Sequence, residues 1–478
     1  MKDGFLCKTE TMLNYIWIFL VLSAVLIGGV RFQYREMAEG MIKAAESAVT
    51  VAIGLIGIMA MWLGVMRVAE RAGVVAVFSR FLKPILKWLF PEVPDGHPAM
   101  CSMLMNIAAN MLGLSNAATP LGLRAMKDLQ SLNPNPSVAT NAMCTFLAIN
   151  TSSVQLIPMT AVAILATTGS QNPTAIVGTS LIATLFSTVA GIMSVKIMEK
   201  WKMFRVNGNG IGVNDSKSIS DAPEKNSEIQ IKDNQSCEKI SKKEFEYHVE
   251  TTELFAMRSF SFFGKIALIT FILFFAVIFI LMILSDSSFA VNGAIRSSSL
   301  FVRAVETISI LAIPFLFSLF TLIATLRGVR VYEEFIIGAK EGFDVAVRII
   351  PYLVAILVAI GMFKSAGGID IISNLLKPIL DLIGFPSELL PMAIMRPLSG
   401  SATLGIFTDI VKQFGPDSMI ARMAGTLYGS TETTFYVVAI YFGSVNIRKM
   451  RHSIAAGLIA DLAGIIAAVI VCRFVFAG

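Results

Sequence analysis

Charged side chains are scarce in this sequence. Only 15% of the 478 residues are Asp, Glu, Lys or Arg, whereas 55% are hydrophobic. Soluble domains average about 25% charged residues, so an ordinary soluble fold is excluded. The formal net charge of +6 does not indicate a nucleic-acid partner, because basic residues on membrane proteins commonly flank the cytoplasmic loops.

Residue types that hold metals or perform catalysis are also few. The three histidines, His97, His248 and His452, are far apart in the sequence. The five cysteines show no Cys-x-x-Cys spacing, and their odd number argues against a disulfide framework. Walker, Gly-x-Ser-x-Gly and His-Glu-x-x-His patterns are missing. We therefore predict no enzymatic activity, no metal site and no cofactor, although residues distant in sequence could still converge to form a metal cluster.

Long apolar runs are what the sequence has in abundance. Runs of about 20 residues suffice to cross a bilayer as helices. They predict an all-α polytopic membrane protein, with spans at 12–30, 48–66, 174–196, 266–284, 307–326, 345–363 and 453–474. Residues 31–47 are mixed in character and are expected at the membrane interface. The basic, amphipathic segment 74–90 is either an interfacial helix or a packed connecting helix.

One long polar segment divides the chain. Residues 200–258 are rich in Asn, Ser, Lys, Glu and Asp and poor in large apolar residues. Such a composition predicts a disordered linker, and its basic flanks predict that it is cytoplasmic. The linker separates an N-terminal membrane half, 1–199, from a C-terminal membrane half, 259–478.

Two pairs of polar stretches interrupt the hydrophobic halves. In the first half they are 106–120 and 150–155, and in the second they are 396–405 and 428–434. Lipid cannot satisfy so many amides and hydroxyls, so these residues should face a protein interior or a wet cavity. We interpret them as two half-sites of one pocket for a solute or ion. The predicted binding residues are Asn106, Asn110, Ser115, Asn116, Thr119, Asn150, Thr151, Ser152, Ser153, Gln155, Arg396, Ser399, Gly400, Ser401, Thr403, Ser430, Thr431, Glu432 and Thr433.

The two halves follow the same pattern. Leu82-Lys-Pro-Ile-Leu86 and Leu376-Lys-Pro-Ile-Leu380 each follow an apolar span and precede a polar stretch broken by Gly or Pro. This series indicates an internal repeat whose polar stretches form broken or re-entrant helices, as at the binding sites of many transporters. If 138–169 crosses the membrane once, the repeats are inverted. If it crosses twice, they are parallel.

Ionisable residues inside a membrane are costly and usually face a cavity or a partner. Glu432 could therefore bind a cation, a proton or a solute hydroxyl, and Arg396 could be its ion-pair partner. Asp461 is a weaker candidate, because a position at a helix end would explain it. For any single Asn, Ser or Thr, a role in holding helices together also stays open.

The polar stretches resemble a known family. Asn106–Gly122 and Phe146–Pro158 resemble spore maturation protein A, whereas Arg396–Gly405 and Leu427–Tyr436 resemble spore maturation protein B. The chain looks like a fusion of the two. Both are similar to the nucleoside recognition, or Gate, group, which includes concentrative nucleoside transporters and the ferrous iron transport protein B. The resemblance implies a membrane transport or gating role and, in spore formers, a part in spore core dehydration.

Two functions are expected from these observations. The first is a transporter or gated permease of the cell membrane for a small polar solute or ion, with a nucleoside suggested by the family name alone. The second is a membrane scaffold or sensor in spore maturation or envelope assembly that transports nothing. The lipid bilayer is a partner in both, and a homo-oligomer is left open. Convergence of the polar stretches in one solvent-reached cavity would favour the transporter.

Overall fold

A computed structural model of the chain describes residues 3–94, 97–113, 115–201, 204, 260–284, 300–368, 371, 375 and 384–476. Among these residues, five helices are long and apolar enough to cross a bilayer. The fold is that of an all-α polytopic membrane protein, as the composition predicts. Nearly all of the predicted linker, and the Leu376–Leu380 motif of the second half, lie outside the described residues.

The helices fall into two series that follow the same order. Helix α1 (Asp3–Arg31) precedes the first series. The first series is α2 (Tyr34–Arg71), α3 (Val74–Leu89), α4 (Pro98–Met111), α5 (Ser115–Gln130), α6 (Asn141–Ser152), α7 (Met159–Thr167) and α8 (Ile176–Met198). Two spans, α9 (Phe262–Leu284) and α10 (Leu300–Leu326), separate it from the second. The second series is α11 (Val331–Ser365), α12 (Leu390–Met395), α13 (Gly400–Phe414), α14 (Met419–Ser430), α15 (Thr434–Ser444) and α16 (Ser453–Phe476).

Each series contains a re-entrant hairpin followed by a broken helix. At about 1.5 Å per residue, α4 and α5 are each about 20–25 Å long, shorter than the hydrocarbon core of about 30 Å. They pack against each other, and Gly113 makes the turn between them with a φ of +75°. Helices α12 and α13, of 6 and 15 residues, pack together in the same way. The broken helices are α6–α7 and α14–α15. These features agree with the broken and re-entrant helices that the sequence predicts.

The long helices α2 and α11 pack antiparallel. Gly40 near the start of α2 faces Gly361 near the end of α11, whereas Arg67 near the end of α2 forms an ion pair of 3.3 Å with Glu334. Between these points the two backbones touch: a Cβ on Gly342 would lie only 2.6 Å from the Cα of Ala60. The two repeats therefore begin in opposite directions.

The closing spans α8 and α16 are also antiparallel. Arg451, just ahead of α16, donates a hydrogen bond of 2.8 Å to the carbonyl of Phe204, which follows α8. At the opposite end, the turn ahead of α14 contacts the turn ahead of α8 through Asp417, which accepts from the Ser170 hydroxyl at 2.7 Å and the Gln171 backbone N–H at 2.9 Å. The repeats are thus inverted, as expected when 138–169 crosses once.

The contacts of Asp417 also set its acidity. Partial burial alone would raise the pKa of this carboxyl. The hydrogen bonds from Gln171 and Ser170, together with the nearby Arg422, outweigh burial and hold the pKa below its ordinary value. The carboxylate form of Asp417 therefore helps to hold the two repeats together at this surface.

Residues 34–47 form the first part of α2, which runs without a break from Tyr34 to Arg71. Its 38 residues span about 57 Å, more than the bilayer is thick. A Cβ on Gly361 would lie 2.8 Å from the Cβ of Ala44, so the mixed segment continues the contact between α2 and α11. The location of residues 31–47 at the membrane interface stays a prediction.

Helix α3 satisfies both interpretations of the amphipathic segment. Leu86 and Leu89 on one face are buried against the protein. The other face exposes large apolar side chains beside lysines, a composition suited to the boundary between lipid tails and headgroups. The exposed residues are Phe81, Lys83, Ile85, Lys87 and Trp88.

Candidate functional site

The breaks of the hairpins and broken helices meet at one place and bond to each other. The Glu432 N–H donates to the Thr151 carbonyl at 2.8 Å, which joins the two broken helices. The Leu156 N–H donates to the Met111 carbonyl at 2.9 Å, and the Phe435 N–H donates to the Pro397 carbonyl at 3.1 Å. Backbone groups freed by the breaks are thus satisfied within the protein, as a low-dielectric surrounding requires.

A polar cavity of about 320 Å³ opens between these breaks. Its size is at the lower end of the range of about 300–1,000 Å³ for small-molecule pockets. Both repeats contribute to its wall. The lining residues are Asn110, Gly113, Thr119, Asn150, Ser153, Gln155, Glu432, Tyr436, Val437, Ile440 and Tyr441.

A chain of hydrogen bonds crosses between the repeats along one wall. Asn110 Nδ2 donates to Asn150 Oδ1 at 2.8 Å, and the Tyr441 hydroxyl donates to the same oxygen at 3.3 Å. Behind them, Asn106 Nδ2 donates to the Tyr441 hydroxyl at 3.2 Å. Gly122 makes room for this hydroxyl, because a Cβ there would come within 2.2 Å of it. The network fixes the orientation of the amides that face the cavity.

Glu432 is the acidic residue of the cavity wall. Gln155 Nε2 from the first repeat donates to its Oε1 at 3.1 Å, and its side chain is 36% exposed. Its closest approach to a cation is 4.0 Å, to Arg396 Nη2. The carboxylate is therefore oriented by an amide while part of it remains open to the cavity.

Arg396 mainly binds carbonyl groups and not Glu432. Its guanidinium is buried and donates to the carbonyls of Tyr428, at 2.9 Å, and Thr431. It also donates to the Thr431 hydroxyl at 3.2 Å and lies over the Tyr428 ring at 4.5 Å. A cation at the C-terminal end of α14 satisfies the carbonyls that the break leaves open. Arg396 thus fixes the break that carries Glu432.

The structure separates the predicted site residues into three groups. Those that line the cavity are Asn110, Thr119, Asn150, Ser153, Gln155 and Glu432. Those in the surrounding hairpins and breaks that do not line it are Asn106, Thr151, Ser152, Arg396, Ser399, Gly400, Ser401, Thr403, Ser430, Thr431 and Thr433. The side chains of Ser115 and Asn116 lie outside the described residues. Binding of a solute or ion by any of these residues stays a prediction.

Several of the surrounding hydroxyls bond to the backbone of their own helices. Ser399 caps α13 by accepting from the Ala402 N–H at 3.2 Å, and Thr403 donates back to the Ser399 carbonyl at 2.6 Å. Ser152 and Ser430 each donate to a carbonyl three residues earlier. These bonds shape the ends of the helices, and they explain why polar residues are dense here without all facing the cavity.

One wall of the cavity has no counterpart in the sequence prediction. Tyr436, Val437, Ile440 and Tyr441 lie on one face of α15 at the i, i+1, i+4 and i+5 positions. Their apolar and aromatic character resembles that of an ordinary span. The signal that could have identified them is their position directly after the Ser430–Thr434 cluster, because a broken helix turns its first residues toward the break.

The comparisons with known proteins agree with this arrangement. The sequence model of the nucleoside recognition (Gate) family matches residues 52–199 and 346–448, just over half of the chain. The chain belongs to the nucleoside recognition (Gate) family. The two matched segments contain every residue of the cavity wall, divided between the repeats.

Two curated relatives support the same assignment. Spore maturation protein B of Bacillus subtilis (strain 168) is 45% identical over 172 residues, which cover 36% of this chain and 97% of the relative. Spore maturation protein A of the same organism is 42% identical over 182 residues, covering 38% of this chain and 93% of the relative. No solved structure matches the chain.

Proposed function

We propose that this Gate-family membrane protein is a transporter or gated permease that moves a small polar solute or ion through the cavity between its two repeats. The observation that supports the proposal is the cavity itself. Amides, hydroxyls and one carboxylate from both inverted repeats surround it at the breaks of the helices. Inverted repeats with broken helices at a shared site are typical of secondary transporters. We propose no catalytic role.

The chemistry of the wall suggests the class of solute. The amides of Asn110, Asn150 and Gln155 can each donate and accept hydrogen bonds, while Tyr436 and Tyr441 add aromatic surface. Glu432 gives the wall a negative charge. A solute with hydroxyl or amino groups, or a cation, would be complementary to this wall. A nucleoside has hydroxyl and amino groups of this kind, and the description of the family is what suggests it.

We propose further that Glu432 couples transport to a proton or another cation. Its carboxylate lies between Gln155 of one repeat and the Arg396-bound break of the other. Neutralising it would weaken the hydrogen bond from Gln155, which joins the two repeats. Binding of a cation at Glu432 could therefore favour one arrangement of the repeats over the other, which coupling requires.

The cellular setting is also a proposal. Location in the cell membrane and a role in spore maturation are suggested by the names of the two relatives. A scaffold or sensor that transports nothing is the second candidate. It is favoured by the many hydroxyls that bond only to their own helices, such as Ser152 and Ser430, since such bonds stabilise the fold without facing a solute.

Uptake into liposomes that contain the purified protein distinguishes the two functions. Radiolabelled nucleosides, metal ions and small acids would be screened with and without a proton gradient. We expect one class to accumulate above the level of empty liposomes. Accumulation of none, by protein that elutes as a single species, would favour the scaffold.

Glu432→Gln then tests coupling, because it keeps the shape of the side chain and removes the charge. We expect the variant to lose the ion dependence of uptake. Asp409→Asn is the matched control, since Asp409 pairs with Lys364 at 2.9 Å away from the cavity wall. If Glu432→Gln keeps both the wild-type rate and the wild-type ion dependence, the coupling role is wrong.

A further inference from the structure

A second carboxyl lies directly behind the cavity. Asp461 is not at a helix end, the position that would have explained it from the sequence, but well inside α16 (Ser453–Phe476). Only 1% of it is exposed. The Thr434 hydroxyl donates to its Oδ2 at 2.6 Å, and its Oδ1 is buried without a hydrogen-bond partner among the described residues. A buried carboxyl with a single neutral partner needs a physical explanation.

The face of α16 that carries Asp461 packs on both broken helices. Gly457 and Gly464 lie on this face, four residues before and three residues after Asp461. A Cβ on Gly457 would lie 3.2 Å from the Thr434 hydroxyl and 3.4 Å from that of Thr151. A Cβ on Gly464 would lie 2.5 Å from the Thr431 methyl group. Asp461 is therefore held against the breaks of both repeats.

Only a short extended segment separates Asp461 from the cavity. Thr431 has φ −144° and ψ 164°, and in extended backbone successive side chains point to opposite sides. Thr431 accordingly packs on α16, while the next residue, Glu432, lines the cavity. Asp461 and Glu432 thus face the same segment from its two sides.

The charged groups near Asp461 are few. Arg396 and Glu432, on the segments that bound the cavity, are those that act on it electrostatically. Among the described residues, no Lys, Arg or His lies within ion-pair distance of it. An ionised carboxylate enclosed in this way would be costly, whereas the neutral acid would not.

The other helices packed on α16 contribute no charge at this level. The one titratable side chain of helix α6 is the thiol of Cys144. The charged residue of α8 is Lys196 in its last turn, and that of α14 is Arg422, which contacts Phe476 at the far end of α16. Helix α15 carries the phenols of Tyr436 and Tyr441, which line the cavity. The charged residues of α10, Arg303 and Glu306, adjoin Val302 and Val305, which pack on Val471 and Val475 near the C-terminal end of α16.

We propose that Asp461 is a proton-binding carboxyl that is neutral while the Thr431–Thr433 segment is closed and exchanges its proton with cavity water when that segment moves. Protonation forms one O–H bond on Oδ1, the oxygen without a partner, and takes the hydrogen from a hydronium ion of the cavity. Release breaks the same bond and leaves a carboxylate. This deepens the proposed transport function, and the role of the proton in transport rests on that function.

A proton fits this position better than a metal ion. A metal cation needs several oxygen ligands at about 2–2.6 Å and the space to hold it. The cavity wall does not include Asp461, and Oδ1 has almost no accessible surface. Among the described residues, no group of three His, Cys, Asp or Glu could hold a metal. A proton requires neither additional ligands nor space.

Infrared spectroscopy of the whole protein in lipid bilayers tests the proposal without any transported solute. A protonated carboxyl has a carbonyl band that a carboxylate lacks. We expect wild-type protein at neutral pH to show such a band, and Asp461→Asn to lose it. Asp409→Asn, which removes an ion-paired carboxylate, should keep the band. Glu432→Gln should also keep it, which distinguishes Asp461 from the carboxyl of the cavity.

A second pair of variants keeps the test decisive if Asp461→Asn fails to fold. Thr434→Val removes the hydrogen-bond donor and should shift the frequency of the band, whereas Thr434→Ser should leave it in place. Survival of the band in Asp461→Asn, its disappearance in Glu432→Gln, or an unshifted band in Thr434→Val would overturn the proposal. A failed uptake assay would not change any of these spectra, so the two proposals can fail separately.

Discussion

Replacing Arg396 with alanine should destabilise the protein by about 2.5–7 kcal/mol. The guanidinium binds the carbonyls of Tyr428 and Thr431 at the end of α14, and both would lose a buried partner. Each unsatisfied group costs about 1–3 kcal/mol. Loss of the stacking over the Tyr428 ring adds about 0.5–1 kcal/mol. Lysine keeps the charge but cannot bind two carbonyls in one plane or stack as well, so Arg396→Lys should be intermediate.

The measurement is the midpoint of thermal unfolding of purified protein in detergent. Arg396→Ala should lower the midpoint by several degrees. Arg35→Ala is the control, because Arg35 is 87% exposed and its pairing with Glu39 lies within one helix. That variant should differ from wild type by less than about 0.5 kcal/mol. Equal midpoints for Arg396→Ala and wild type would refute the idea that Arg396 holds the break together.

Two further predictions concern the contacts between the inverted repeats. Asp417→Asn should cost about 1 kcal/mol at neutral pH, because the turn ahead of α8 loses a charged acceptor. The folded-state pKa of Asp417 is lowered, so its stabilising effect is fully present above about pH 4 and is lost as the pH falls through the folded-state pKa. The unfolding midpoints of wild type and variant should therefore converge in acid. A gap that persists unchanged in acid would contradict this. Gly342→Ala should destabilise the protein by about 1–3 kcal/mol, because the new methyl group would collide with the backbone of α2. Gly57→Ala is the control and should not destabilise it, because no atom lies within 4 Å of a Cβ at Gly57. Equal midpoints of unfolding for the two alanine variants would show that α2 and α11 do not pack so closely.

The order of the spans could be predicted from the sequence, whereas inverted and parallel repeats both stayed open. The spans follow from apolar runs of sufficient length, and the hairpins follow from Gly and Pro inside polar stretches such as 106–120. The inversion depended on counting 138–169 as one crossing. The full length of α2 could not be predicted from hydropathy, because residues 34–47 are mixed in character and pack on α11 near Gly361.

The side chains of the site were harder to predict than their segments. The concentration of polar residues predicted the two hairpins and the two broken helices. Hydroxyls such as those of Thr403 and Ser430, however, bond to nearby carbonyls and do not face the cavity. Which side of a break a residue faces depends on backbone angles that the sequence does not reveal. The same limit applies to Asp461: the span predicted at 453–474 places it inside a helix, but only the packed structure shows that it lies behind the Thr431–Thr433 segment.

The polar residues of both repeats should enclose one cavity that a solute can enter. A cysteine at Ser153, in protein that lacks its native cysteines and is inserted in liposomes, tests whether this cavity is accessible. We predict that a membrane-impermeant thiol reagent labels Ser153→Cys, and that the solute found in the uptake screen slows the labelling. No labelling from either side of the membrane, under conditions that label a cysteine at the exposed Ser131 in the turn after α5, would contradict a solute-accessible cavity.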